Sequence, residues 1–227
     1  MMKKMIGTGA LLATMFLSAT AQTEVSTDSS YANGWYEQRM DFFRHVPKQK
    51  KAIVFLGNSI TEVGDWQEII GNKPVQNRGI SGDNSYGVLA RLDETLQEKP
   101  AKIFLMIGVN DIKRGTPVTV IAHNQERIVQ RIKALSPGTK VYMQSVLPVH
   151  EPILADIYKK ITNERIKSLN SLLQEIAGRN QVPYVDLHPV FTDENGQLKR
   201  DMTTDGLHLR PAAYIKWVAG LKEKKLL

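Results

Sequence analysis

Ala52-Ile53-Val54-Phe55-Leu56-Gly57-Asn58-Ser59-Ile60-Thr61 is the stretch from which the fold can be read. Its first half is a short, continuously apolar run, the pattern of a strand covered on both faces. Its second half is a turn that leads from Ser59 into a helix start. Further along the chain the same alternation recurs. Strands are predicted at Ala52 to Leu56, Val75 to Asn77, Ile103 to Ile107, Val141 to Val146 and Val182 to Asp186. Between them run helical stripes with apolar spacings of three and four. Val88, Leu89, Leu92 and Leu96 form one, Ile121, Ile128, Ile132 and Leu135 a second, and Ile166, Leu169, Leu173 and Ile176 a third. Ser136-Pro137-Gly138 is a strong stop, and Pro211 opens a final helix to about Leu221. Alternating strand and helix implies right-handed crossovers, hence an α/β protein with a five-stranded parallel sheet in a three-layer α/β/α sandwich.

Towards the N-terminus, a helix from about Gly34 to Arg44 is expected to place Trp35, Met40 and Phe43 near one face. Residues 22–32 are polar, small and aperiodic, and read as a flexible leader. Lys3 and Lys4 precede an apolar run from Met5 to Leu17, and Ala19-Thr20-Ala21 supplies a small-x-small cleavage pattern. Residues 1–21 are therefore expected to be a signal peptide, leaving a domain at 33–227 that is periplasmic or secreted. The apolar run is too short to cross a bilayer comfortably and no stop-transfer pattern follows, so no stable membrane insertion is expected after cleavage.

Composition narrows the function. A chain of 227 residues, 42% hydrophobic, can bury one substantial core. Its 30 basic and 23 acidic side chains give +7, or +5 without Lys3 and Lys4. The cations are spread along helical stretches and are densest at Lys222-Glu223-Lys224-Lys225, a solvated helix end, so no nucleic-acid partner is expected. There is no cysteine, which removes disulfides, thiolate catalysis and lipidation at a Cys. No His-Glu-x-x-His is present, and neither a metal site nor a cofactor is expected.

In open parallel sheets ligands bind beyond the carboxyl ends of the strands. There the chain carries Gly57-Asn58-Ser59-Ile60-Thr61, Asn77-Arg78-Gly79-Ile80-Ser81-Gly82-Asp83, Gly108-Val109-Asn110-Asp111 and Asp205-Gly206-Leu207-His208-Leu209. Taken alone, Ser59 could equally be a helix N-cap, Gly79 a left-handed turn, Asn110 a loop cap and Asp205 a turn residue. A serine nucleophile needs a base with a pKa near neutrality, and five histidines compete: His45, His123, His150, His188 and His208. His188 is the rival to His208, because Asp186 lies two residues before it. Asp205 and His208, three apart, can fold back on each other within one turn, which favours His208.

These four blocks, in this order from about Lys51 to Leu209, resemble the SGNH hydrolases, whose fold is flavodoxin-like. The resemblance implies that Ser59 is the nucleophile and that Asp205 and His208 complete a catalytic triad. It also implies that the backbone N–H groups of Ser59 and Gly79 and the side chain of Asn110 form the oxyanion hole. One residue departs from the family pattern: Asn58 stands where Asp is usual, which removes a charge beside the site.

The flanking residues are similar to those of exported SGNH acylhydrolases described as sialate O-acetylesterases, and to the platelet-activating-factor acetylhydrolase branch. Both imply a short acyl group. A small-molecule or glycan ester is the expected substrate, with O-acetyl groups on carbohydrates such as sialic acid as first choice. Arg78 and Arg114 flank the expected site and could meet a carboxylate. The alternatives are a lysophospholipase or thioesterase of the same family, or a non-catalytic glycan-binding protein that keeps the fold. Oligomeric state is not legible.

Overall fold

The structure is a computed structural model that describes residues 28–227. The expected signal peptide, and residues 22–27 of the leader, lie outside the described residues. The chain runs α1 (Gly34–His45), β1 (Ile53–Gly57), α2 (Ser59–Glu62), α3 (Trp66–Ile70), β2 (Val75–Gly79), α4 (Ser85–Ala90), α5 (Leu92–Leu96), β3 (Lys102–Met106), α6 (Val109–Arg114), α7 (Val118–Leu135), β4 (Lys140–Gln144), α8 (Asn163–Arg179), β5 (Tyr184–Val185), α9 (His188–Phe191) and α10 (Pro211–Glu223). The sheet has five parallel strands in the order β2-β1-β3-β4-β5. That is the flavodoxin-like order, and its switch point lies between β1 and β3, where a crevice opens at the carboxyl ends.

The register explains the core. Phe55 of β1 pairs with Phe104 of β3, which pairs with Tyr142 of β4, so three rings line one face of the sheet. Their centroids are 5.1 and 4.8 Å apart, and Trp66 stacks on Phe55 at 3.9 Å. Trp217 of α10 then meets Trp66 edge-on at 5.1 Å. Ring pairs of this kind add about 0.5–1.5 kcal/mol each beyond their buried area. On α8 the whole expected stripe, Ile166, Leu169, Leu173 and Ile176, is buried, and Thr162 caps the helix through its side chain.

Four expectations are corrected here. On α1 the buried face is Tyr36, Met40 and Phe43, at positions i, i+4 and i+7, while Trp35 is rotated outward. Leu135, the last residue of α7, is exposed where the chain turns out at Ser136. Val88, Leu89, Leu92 and Leu96 are all buried as expected, but their helix is broken into α4 and α5 at Arg91, whose side chain turns into the interior. The described end of the leader, residues 28–32, is docked: Asp28 accepts from the Asn84 amide at 2.9 Å, and the Tyr31 ring meets Tyr36 at 5.0 Å.

Candidate active site

The turn that carries Ser59 is built by Asn58. Its side chain is buried and accepts from the Ile60 N–H at 3.0 Å, capping α2, so the amide performs the capping that a carboxylate could also perform. Ser59 is thereby the first residue of α2, half-buried, with a backbone N–H that finds no acceptor among the described residues.

The turn Asp205-Gly206-Leu207-His208 comes from the other end of the chain. Asp205 Oδ1 accepts from the backbone N–H groups of Leu207 and His208 at 2.9 and 2.8 Å. Its Oδ2 lies 2.7 Å from His208 Nδ1, and His208 Nε2 lies 3.0 Å from Ser59 Oγ. Burial pushes the Asp205 carboxyl up, but the bonds from the His208 ring and the two backbone groups outweigh it and hold the carboxyl below its usual range. Gly206, at φ +89°, has no room for a side chain: a Cβ would strike the His150 carbonyl. That carbonyl belongs to a loop whose N–H at His150 donates to Gly206 O at 2.8 Å, so this loop braces the turn from behind.

The other histidines stand elsewhere. His188 donates its backbone N–H to Ser145 Oγ at 2.9 Å and to Asp186 at 3.1 Å, while its ring Nδ1 faces Thr192 Oγ1 at 3.1 Å and its buried Nε2 has no partner among the described residues. Burial lowers its pKa. His150 Nδ1 donates to Leu198 O, and His45 lies on the exposed side of α1.

Gly79 does not meet the expectation placed on it. Its N–H already donates to Asn77 Oδ1 at 2.9 Å, which leaves nothing for a substrate oxygen. The glycine is needed for another reason: a Cβ there would collide with the backbone of Thr61 and Glu62, so β2 could not close on α2. Three residues on, Gly82 has a left-handed φ of +82°, only the Asn33 amide, at 4.0 Å, near where a Cβ would be, and an N–H with no acceptor among the described residues. The loop that carries it is strapped on both sides. Ser81 donates its N–H and hydroxyl to Glu62 at 2.6 and 2.5 Å, and Asp83 O accepts from Asn110 Nδ2 at 2.9 Å. Asn110 has a second amide hydrogen, so the bond to Asp83 orients the group without exhausting it. The Ser81-Gly82 turn dipeptide was the available sequence signal for this glycine.

Arg78 is also corrected. Strand alternation sends it away from the site, where it is buried between Glu94, at 3.3 Å, and the Phe43 ring. Arg114 does reach the loop, donating to Gly82 O at 3.0 Å and to Asn110 O at 3.3 Å.

Beneath the loop lies a polar network that the sequence did not announce. Arg91, fully buried, pairs with Asp83 at 2.9 Å and donates to Gly57 O at 3.0 Å, linking the turn of Ser59 to the loop of Gly82. Burial pushes the Asp83 carboxyl up and Arg91 pulls it back. Asp111 accepts from the Ser85 hydroxyl at 2.5 Å and from its N–H at 3.1 Å, and burial pushes its carboxyl up to about 7. Between α3 and the start of α10, a groove of about 330 Å³ is lined by Val63, Asp65, Glu68, Ile69, Tyr214 and Ile215. Among the described residues no group of three or more His, Asp or Glu could hold a metal ion, and no helix is long and apolar enough to cross a membrane.

Residues 55–215 match the model of the GDSL-like lipase/acylhydrolase family, a span that holds every residue of this constellation. The chain belongs to that family. As a GDSL-like enzyme it is an esterase or acylhydrolase. It is 30% identical to an arylesterase of Vibrio mimicus over 188 residues, 80% of this chain and 81% of that one. It is 23% identical to the human platelet-activating factor acetylhydrolase IB subunit alpha1 over 187 residues, 79% of this chain and 78% of that one. Among solved structures, a GDSL-like lipase from Bacteroides thetaiotaomicron superposes with a TM-score of 0.72 at 27% identity, over 85% of this chain and 98% of that one. A Streptococcus pneumonia structure named for platelet activating factor reaches a TM-score of 0.79 at 36% identity, over 84% and 92%.

Proposed function

We propose that this GDSL-like acylhydrolase removes short acyl groups, chiefly acetyl, from carbohydrates such as sialic acid, by way of an acyl-enzyme on Ser59. The observation that carries the reading is the unbroken relay from Asp205 through His208 to the Ser59 hydroxyl, with separations of 2.7 and 3.0 Å. His208 Nε2 takes the Ser59 proton as Oγ attacks the ester carbonyl. When the tetrahedral intermediate collapses, the proton passes to the leaving alcohol and the acyl group remains on Ser59. Water, deprotonated by the same nitrogen, then attacks the acyl-enzyme. The acid leaves and Ser59 regains its proton. Asp205 stays ionised and holds the imidazole with Nε2 facing the serine.

Negative charge on the carbonyl oxygen is met by the N–H groups of Ser59 and Gly82 and by the free hydrogen of Asn110 Nδ2, which replaces Gly79 with Gly82 in the oxyanion hole. Each such donor is worth ~3 kcal/mol of barrier. The hydrogen-bonding rim of Ser81, Gly82 and Arg114 suits a hydroxylated alcohol. Export as a periplasmic or secreted protein, in keeping with residues 1–21, would bring the enzyme to such glycans.

A second reading, a lysophospholipase or thioesterase, draws on the groove between α3 and α10, which could accept a longer chain. The test is a panel of acyl esters from two to ten carbons beside O-acetylated sialic acid and acetylated pyranosides, with Ser59→Ala as the control. A preference for acetyl on a sugar is expected, and Ser59→Ala should lose at least ~10⁴-fold in kcat. A preference that rises with chain length would select the second reading. Full activity in Ser59→Ala would end both.

A further inference from the structure

Trp35 is exposed at 46%, whereas the chain's other tryptophans, Trp66 and Trp217, are buried. Free exposed tryptophans usually swing; this one is tethered. Its indole N–H donates to Glu62 Oε2 at 3.3 Å, and Glu62 is held in turn by Arg39 at 3.1 Å and by both donors of Ser81. Glu62 lies three residues after Ser59 on the same single turn of α2, with its side chain leaning back toward the helix start. The indole is thus anchored to the carboxylate that also anchors the loop of Gly82.

A second route leads to the same place. The buried face of α1, with Tyr36, Met40 and Phe43, packs on Ile80, which lies between Gly79 and Ser81. Asn33, the cap of α1, places its amide 4.0 Å from where a Gly82 Cβ would sit. The N-terminal turn of α1 therefore borders the oxyanion loop, and Trp35 is its outward-facing ring. Phe42, also exposed, lies two turns further along α1 against Arg39 and is tied to neither α2 nor the loop. The helix lies outside residues 55–215, so this aromatic wall is added to the family span by the N-terminal segment.

We propose that Trp35 is a specificity residue: a fixed aromatic platform against which the pyranose ring of an acetylated glycan stacks while its ester faces Ser59. The inference rests on the carbohydrate reading given above. A pyranose has an apolar C–H face and an equatorial belt of hydroxyls. It calls for a flat ring bordered by hydrogen-bonding groups, which is the combination of Trp35 with Asn33, Ser81 and Arg114. An acyl chain or lipid tail would instead call for a groove without such a border. Because Glu62 holds the indole in place, little side-chain freedom is lost when the sugar arrives.

Two measurements test this. For Trp35→Ala, the ratio of kcat/KM on an O-acetylated pyranoside to that on ethyl acetate should fall roughly tenfold, through KM, with Trp35→Phe in between. In the Ser59→Ala background, which leaves the ester intact, the same pyranoside should quench tryptophan emission, and adding Trp35→Phe should remove that quench. An unchanged ratio, or a quench that persists in the double variant, overturns the platform while leaving the glycan reading standing. An equal loss on both esters also overturns it, as a structural effect. A parent enzyme that cleaves ethyl acetate yet neither cleaves nor binds the pyranoside overturns the glycan reading, and the platform with it.

Discussion

The chain contains two aspartate–histidine pairs, and they end in opposite chemistry. At Asp186 and His188 the spacing is two, and the carboxylate is spent on the His188 backbone N–H. The ring then turns to Thr192 with its far nitrogen buried. At Asp205 and His208 the spacing is three, and the glycine between them adopts a left-handed turn. One carboxylate oxygen takes the backbone and the other takes the ring, which leaves His208 Nε2 pointing at Ser59. Asp186 reaches only the main chain of its histidine, whereas Asp205 holds both the main chain and the imidazole of its own.

The sharpest way to break that contrast is to remove each ring. His208→Ala should lower kcat on a short acetate ester by about 10⁴-fold or more, and His188→Ala should leave it within about twofold, in a steady-state assay at pH 7.5. The reverse result would transfer the base role to His188. Next in size is Asp205→Asn, which keeps the shape but no longer demands a proton on His208 Nδ1. A loss of roughly 10²–10⁴-fold in kcat with KM little changed is expected, and a loss confined to KM would contradict an orienting role.

The smallest effect concerns stability. His188 has its pKa lowered below 6.5 by burial, so the folded state disfavours its protonated form. The stability it permits is therefore fully present above about pH 6.5 and declines as pH falls toward the folded pKa. Melting temperatures from pH 7.5 to 5.0 should fall less steeply for His188→Gln than for the parent. Parallel curves would show that the ring is not held neutral. Asp205 works in the same direction but at lower pH: its depressed carboxyl supports the fold above the normal aspartate range and ceases to do so as pH drops through the folded value.

Much of the enzyme was legible before folding was considered. The continuous apolar run at Ala52 to Leu56 read as a doubly covered strand, and its repetition named the sheet. What failed were readings that depend on which partner a group meets once the chain has folded, whether near or far in sequence. Gly79 and Gly82 look alike as letters. The difference is that Asn77 Oδ1 consumes the Gly79 N–H, while the Gly82 N–H has no acceptor among the described residues. Arg78 reads as a cation beside the site, but the strand's pleat buries it with Glu94. Arg91, which no motif singles out, lies at the break between α4 and α5 and clamps Asp83 and Gly57.

By itself, the sequence determined the layer order, the strand ends that face the crevice, and the residue types able to run acyl transfer. Periodicity and short spacings are local properties, and local geometry follows from them directly. Only the tertiary structure decided which N–H groups remain unspent, which of two imidazoles meets the serine, and where an outward tryptophan on the first helix comes to rest. Those outcomes are settled by competition for hydrogen-bond partners and space among segments as distant as Ser59 and His208, and no stretch of sequence records who wins.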